Sequence, residues 1–190
     1  VDILIGEGVN LDLANKDGNT ALMAAINLFY EELEEVPDIL IKLSVELVKK
    51  LIKAGANVHL VDTYRKTSLI TASEKGREEV VDILIREGVD LDLADKDGNT
   101  ALIAAIKKDE WLSCFELNQE VSEVEVVKKL IKAGAKLDLA DKDGNTALIA
   151  AIKADYEEVA ERLIKEGANV NLADKDGKTA LIAASEEGYE

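Results

Sequence analysis

The chain is short of most residues that build catalytic or metal sites. It has one cysteine, Cys114, so no internal disulfide can form and no cysteine-based zinc site exists. It has one histidine, His59, inside a recurring segment whose other copies carry Asn or Asp at that point. A Ser-His-Asp set would depend on that single residue. No apolar run reaches membrane-spanning length, no signal peptide is visible, and no glycine-rich phosphate loop occurs. Basic residues are also scarce, 23 against 39 acidic ones, giving a net charge of −16. Nucleic acid and anionic membrane surfaces are therefore poor partners, because both require Lys and Arg facing phosphate. Aromatic residues number seven of 190, so Ala, Leu, Ile and Val must build the core. The lone cysteine suits a reducing compartment, and a cytoplasmic location is expected.

What the chain has instead is repetition. The phrase DKDGNTALIAAIK stands word for word at Asp95–Lys107 and Asp141–Lys153, and returns with edits at Asn15, Asp62 and Asp174. The spacings are 47, 33, 46 and 33 residues, so the basic unit is 33 and alternate units carry 14 or 13 more. A longer period of about 80 lies over this one, with Val1–Asn27 matching Val81–Lys107 at 22 of 27 positions. The chain parses as one array: a partial unit at 1–14, a long unit at 15–61, a short one at 62–94, a long one at 95–140, a short one at 141–173 and a partial one at 174–190.

Each unit reads as turn, helix, turn, helix. In Asp141–Ala173, Asp-Lys-Asp-Gly is turn chemistry: short acids that bond their own backbone, then a residue free to take positive φ. Thr146 caps a short helix of small residues, Ala147–Lys153. A break at Asp155 leads to a second helix, Glu157–Lys165, with an expected apolar stripe of Val159, Leu163 and Ile164. Gly167 ends it. Eleven of the twelve glycines fall at three phases of the unit, and only Gly6 does not. The same turn text superficially matches the start of a calcium loop, but Gly comes too early and no Glu closes the loop. No cofactor or metal is expected, and no enzyme.

A 33-residue turn-helix-helix unit containing D-G-x-T-A-L and ending A-G-A-x-V resembles the ankyrin repeat. The likeness runs the length of the chain apart from the insertions. One departure is systematic: the family's T-P-L-H-x-A is here Thr-Ala-Leu-Ile, Thr-Ala-Leu-Met or Thr-Ser-Leu-Ile. The family's His normally bonds across the turn, so its loss makes stacking more purely apolar. The resemblance implies an all-α solenoid of stacked helix-turn-helix units with short projecting β-turns, alternate units carrying lengthened helix pairs. It also implies protein binding through a concave face made of turns and first helices. The matching turn residues are Lys16, Asp17 and Asn19; Thr63, Tyr64 and Lys66; Lys96, Asp97 and Asn99; Lys142, Asp143 and Asn145; and Lys175, Asp176 and Lys178. Late in the first helices they are Glu74, Lys75, Lys107, Lys153, Glu186 and Glu187. The near-constant Lys-Asp-Gly-Asn text is explained more simply as turn chemistry, whereas the second turn departs, with Tyr64 and Arg65 replacing Asp and Gly.

Both insertions fall between helix one and helix two, hence on the edge opposite the turns. The first, Leu28–Ser44, continues the stripe Leu22, Ile26, Phe29, Leu33, Val36, so helix one is expected to run on. Pro37 then opens a lengthened helix two with a stripe of Leu40, Leu43, Leu47 and Leu51, giving arms of about 25 Å. In the second, Lys108–Val121, a helical extension and a loop near Asn118 precede a capping box at Ser122 and Glu125. Phe29, Tyr30, Trp111 and Phe115 are candidate interface anchors; the plainer reading is that they pack within the inserts. The expected function is a protein-interaction scaffold using the concave face or the insert edge, with a protein partner of unknown identity. The alternatives are a structural solenoid that self-associates head to tail through uncapped ends, and an engineered scaffold without a native partner. Word-for-word duplication fits engineering, while the irregular inserts and divergent second unit fit natural duplication.

Overall fold

A computed structural model of the chain describes residues 1–28, 38–107 and 120–188. Ten α-helices occur among them and no strand longer than a single bridge. They form two rows. First helices α2 (Ala21–Asn27), α4 (Ser68–Glu74), α6 (Ala101–Ile106), α8 (Ala147–Lys153) and α10 (Ala180–Glu187) pack side by side. Second helices α1 (Asp2–Gly6), α3 (Asp38–Lys53), α5 (Glu78–Arg86), α7 (Glu120–Ala133) and α9 (Glu157–Lys165) form the other row, and each of α3, α5, α7 and α9 packs on the first helix of its own unit.

The sequence dictates this division. Every residue of α6 is buried, and so are the first six of α8, because Ala-Leu-Ile-Ala-Ala-Ile has no polar face. The alanines let neighbouring first helices approach closely. Thr20, Thr67, Thr100, Thr146 and Thr179 cap these helices, each hydroxyl accepting from the backbone N–H three residues on. Second helices are amphipathic, burying Val80, Val81 and Leu84 in α5 and Val159, Ala160 and Leu163 in α9. The eleven glycines placed by phase all take positive φ, and unplaced Gly6, the last residue of α1, does not.

Several expectations are corrected. Ile164 is 51% exposed, and Ala160 takes its place in the stripe of α9. In α3 the buried residues are Ser44, Val45, Val48 and Leu51, while Leu43 is 54% exposed, so the helix is rotated from the all-leucine stripe. Leu51 keeps its place in the stripe and Leu47 packs partly buried against the core, where Val45 and Val48 join them. Helix one does not run unbroken into the first insertion: α2 ends at Asn27, and Leu28 turns to ψ 132. Helix α7 is described over Glu120–Ala133, so Ser122 lies within the helix instead of at its cap. The remaining insert expectations, including Phe29, Tyr30, Pro37, Trp111, Phe115, Cys114 and Asn118, lie outside the described residues.

Candidate functional site

The turns form a row along one edge, and one residue organises each. Oδ1 of Asn15, Asp62, Asp95, Asp141 and Asp174 accepts two backbone N–H groups, from the residues two and four positions on. This is why a short side chain with a terminal oxygen stands there in every copy. The turns are then tied to one another. The N–H groups of Thr63, Lys96, Lys142 and Lys175 donate to the carbonyls of Asp17, Tyr64, Asp97 and Asp143 in the preceding unit, at 2.8–2.9 Å. A Cβ at Gly144 would lie 2.8 Å from the next unit's Lys175 N, so glycine permits this approach as well as the turn.

A second set of links crosses below the turns. Oδ1 of Asp12, Asp92 and Asp138 accepts the N–H of Asn57, Lys136 and Asn169 in the following unit, at 2.8–2.9 Å. His59 occupies the corresponding phase of the next segment and provides no such oxygen.

Lysines extend the ties. Lys107, at the end of α6, pairs with Asp141 of the next unit, and Lys153 pairs with Asp174 at 2.8 Å. Both carboxylates are almost wholly buried, 1% and 2% exposed. Where this late position carries Glu, the pattern inverts: Lys66 bonds Glu74 and Lys178 bonds Glu186 within one unit. Burial pushes the Asp141 carboxyl up, but hydrogen bonds from Lys107 and Asn145 outweigh it and hold the group below its ordinary value. The Lys153 hydrogen bond, then backbone N–H groups, hold Asp174 below it too. A lowered folded-state carboxyl contributes stability that is complete above the unfolded value, about 3.9, and is lost as pH falls through the folded value. Denaturant midpoints should therefore fall steeply below about pH 4, and Lys107→Met or Lys153→Met should flatten that fall.

The second turn has the common backbone and different tips. Tyr64 and Lys66 N–H groups reach Asp62 Oδ1 at 2.8 Å each, as in the other turns. Arg65 stands where glycine stands elsewhere and keeps its conformation, with φ 62. Arg65→Gly should therefore raise stability by about 1 kcal/mol in a urea titration, since a side chain is disfavoured in the left-handed region. Tyr64 is 61% exposed, with Lys96 Nζ 5.7 Å from its ring centroid. At the same place one unit along, Lys142 faces Asp97 at 3.9 Å.

A scan of family models matches the model "Ankyrin repeats (3 copies)" at residues 39–119 and 117–190. The chain belongs to the ankyrin-repeat family. A search of curated proteins finds no match to this ankyrin array.

On the ankyrin frame, the sequence-derived contact residues separate into two groups. Lys66, Lys107, Lys153, Glu74 and Glu186 are engaged in internal ion pairs. Asn145 is buried, holding Asp141 through Nδ2 and accepting Lys153 through Oδ1. Asn99 is half-buried and bonds Asp95. Those that face solvent include Lys16, Asp17, Thr63, Lys175, Asp176 and Glu187 as well as Tyr64, Lys96, Asp97, Lys142 and Asp143. The strained backbone of Arg65 adds a residue that motif matching omits, because the family pattern treats that phase as glycine. Among the described residues no helix is long and apolar enough to cross a membrane, and no group of His, Cys, Asp and Glu could hold a metal.

Proposed function

We propose that the array is a non-enzymatic binding scaffold whose protein partner docks on the turn edge, centred on the second turn. The observation that carries this is local. The second turn keeps the backbone of its neighbours while presenting an exposed Tyr and a left-handed Arg. Asp-Gly tips would hold the stack at lower cost, so neither side chain is required by the fold, and strain unexplained by folding points to function. The other turns repeat one text and offer a partner little to distinguish them. Phe29, Tyr30, Trp111 and Phe115, on the opposite edge by sequence, would form a separate contact. The test is selection of displayed random peptides on the wild type and on Tyr64→Ala. Families enriched on the first and absent from the second support the reading; identical enrichment removes it.

Self-association is a second reading, favoured by exposed apolar groups. Leu4 is 61% exposed and Leu181 75%, whereas Leu84 and Leu69, at the same repeat phases, are buried. Stacking of copies would cover them. Scattering mass should then grow with concentration, and Leu4→Glu with Leu181→Glu should abolish the growth.

A further inference from the structure

We propose that the second turn receives a short acidic segment, one or two carboxylates beside an apolar side chain, with Arg65 and Lys96 meeting the carboxylates and Tyr64 the apolar group. This rests on the binding reading above and gives its partner a chemistry.

The turn row supplies the comparison. Lys142 has its charge answered by Asp97 in the preceding unit. Lys96 occupies the same position one unit earlier, but the preceding tip is Tyr64, so the ammonium meets a ring instead of a carboxylate. Among the described residues neither Lys96 nor Arg65 makes an ion pair. Four acids of this unit and the next have partners of their own. Glu74 holds Lys66 through both oxygens at 2.8 Å, Asp62 and Asp95 each hold two backbone N–H groups of their own turn, and Asp97 faces Lys142. Two cations without an ion pair therefore stand beside one exposed aromatic in a chain of net charge −16. A basic segment would meet those cations directly. An uncharged apolar one would use the ring and leave both cations idle. Arg65 adds a planar fork suited to carboxylate, held at a phase where glycine would be less strained.

The whole-chain charge limits the partner's length. Screening confines repulsion to about 8–10 Å at physiological salt. A segment with one or two carboxylates lies within reach of the local cations, while a long polyanion also meets the surrounding acidic surface. Heparin should accordingly not bind.

The test is an NMR titration with a blocked peptide, Gly-Ser-Glu-Leu-Glu-Ser-Gly, and its versions with Gln or Lys for Glu. The Glu peptide should shift the amides of Tyr64, Arg65 and Lys96, and bind at least about tenfold more tightly than the Gln peptide, since ionised hydrogen bonds are about twice as strong as neutral ones. Arg65→Gly should lose about tenfold in affinity while its turn amides keep their dispersion, because four other turns fold with glycine there. Arg86→Gln, a cation change on α5, should leave binding unchanged. Three results overturn the inference: no shifts at about millimolar Glu peptide, a typical limit for weak specific contacts; equal binding of the Lys peptide; or undiminished binding by Arg65→Gly. If displayed selection still yields Tyr64-dependent peptides, the binding reading survives those results. If it does not, both fail.

Discussion

Replacing Arg77 with alanine should cost about 3 kcal/mol of stability, because buried hydrogen bonds from a charged group are worth about 1.5–3 kcal/mol and the stem adds packing. Arg77 lies just before α5 and is 5% exposed. Its guanidinium donates to the Leu28 carbonyl at 2.9 Å and to Ser44 Oγ at 3.3 Å. Ser44 in turn donates to the Ile41 carbonyl at 2.9 Å. One side chain of the short unit thus holds both the end of helix one and the body of α3 in the long unit before it. Arg77→Met separates the contributions by keeping the aliphatic stem. It should recover roughly 1 kcal/mol of the loss, the value of about one buried methylene or a little more. Urea midpoints of the three proteins measure this. A loss below about 1 kcal/mol for Arg77→Ala would mean that the guanidinium is not what joins the two units.

The second large effect concerns Leu84 and Leu163, which occupy one phase of two units and are both 0% exposed. Either change to alanine should cost about 3–4 kcal/mol, the usual range for a buried leucine. Their consequences for cooperativity should differ. Helix α5 packs against α3, α4 and α7, in the middle of the second row, whereas α9 packs against α7 and α8. In a stack stabilised by nearest-neighbour contacts, a central lesion uncouples the two sides. Leu84→Ala should therefore broaden the urea transition or split it in two, while Leu163→Ala should unfold its own neighbourhood early and leave the main transition steep. Equal, single transitions for both variants would show that the array unfolds as one block.

These contrasts follow from how the sequence encodes the fold. Anything fixed by local backbone chemistry was legible. The threonine caps, the turn acids, and helices Ala147–Lys153 and Glu157–Lys165 stand where the repeated text places them. The glycine phases announce positive φ so directly that Arg65 and Asp155, which share those phases, adopt it as well. Rotation of helices was less legible. Ile164 and Leu43 are apolar and nearly in phase, and only the neighbouring row decides which side of an apolar helix is covered. The ion pairs between units were invisible for a similar reason. Lys107 and Asp141 are 34 positions apart, and nothing in a linear text says that they touch. For the candidate surface, the broken spelling at Tyr64 was the signal. What it could not convey is that Lys96, from the next unit's turn, lies over the Tyr64 ring.

The second-helix row carries a constraint of another kind. Lys49 and Lys50 of α3 reach in opposite directions, to Glu79 on α5 and Asp2 on α1. Lys128 and Lys129 of α7 do the same, to Glu158 on α9 and Asp82 on α5. Each pair is solvent-exposed in part and weak alone. Together they make the long units basic on both flanks of this row and the short units acidic. A recombination event that added a single unit would set lysines against lysines, or acids against acids, at the new junction. One that added a long and a short unit together would leave every junction matched. Growth of such an array by duplication is thus filtered toward steps of two units, the 80-residue interval that separates Val1–Asn27 from its near-copy at Val81–Lys107.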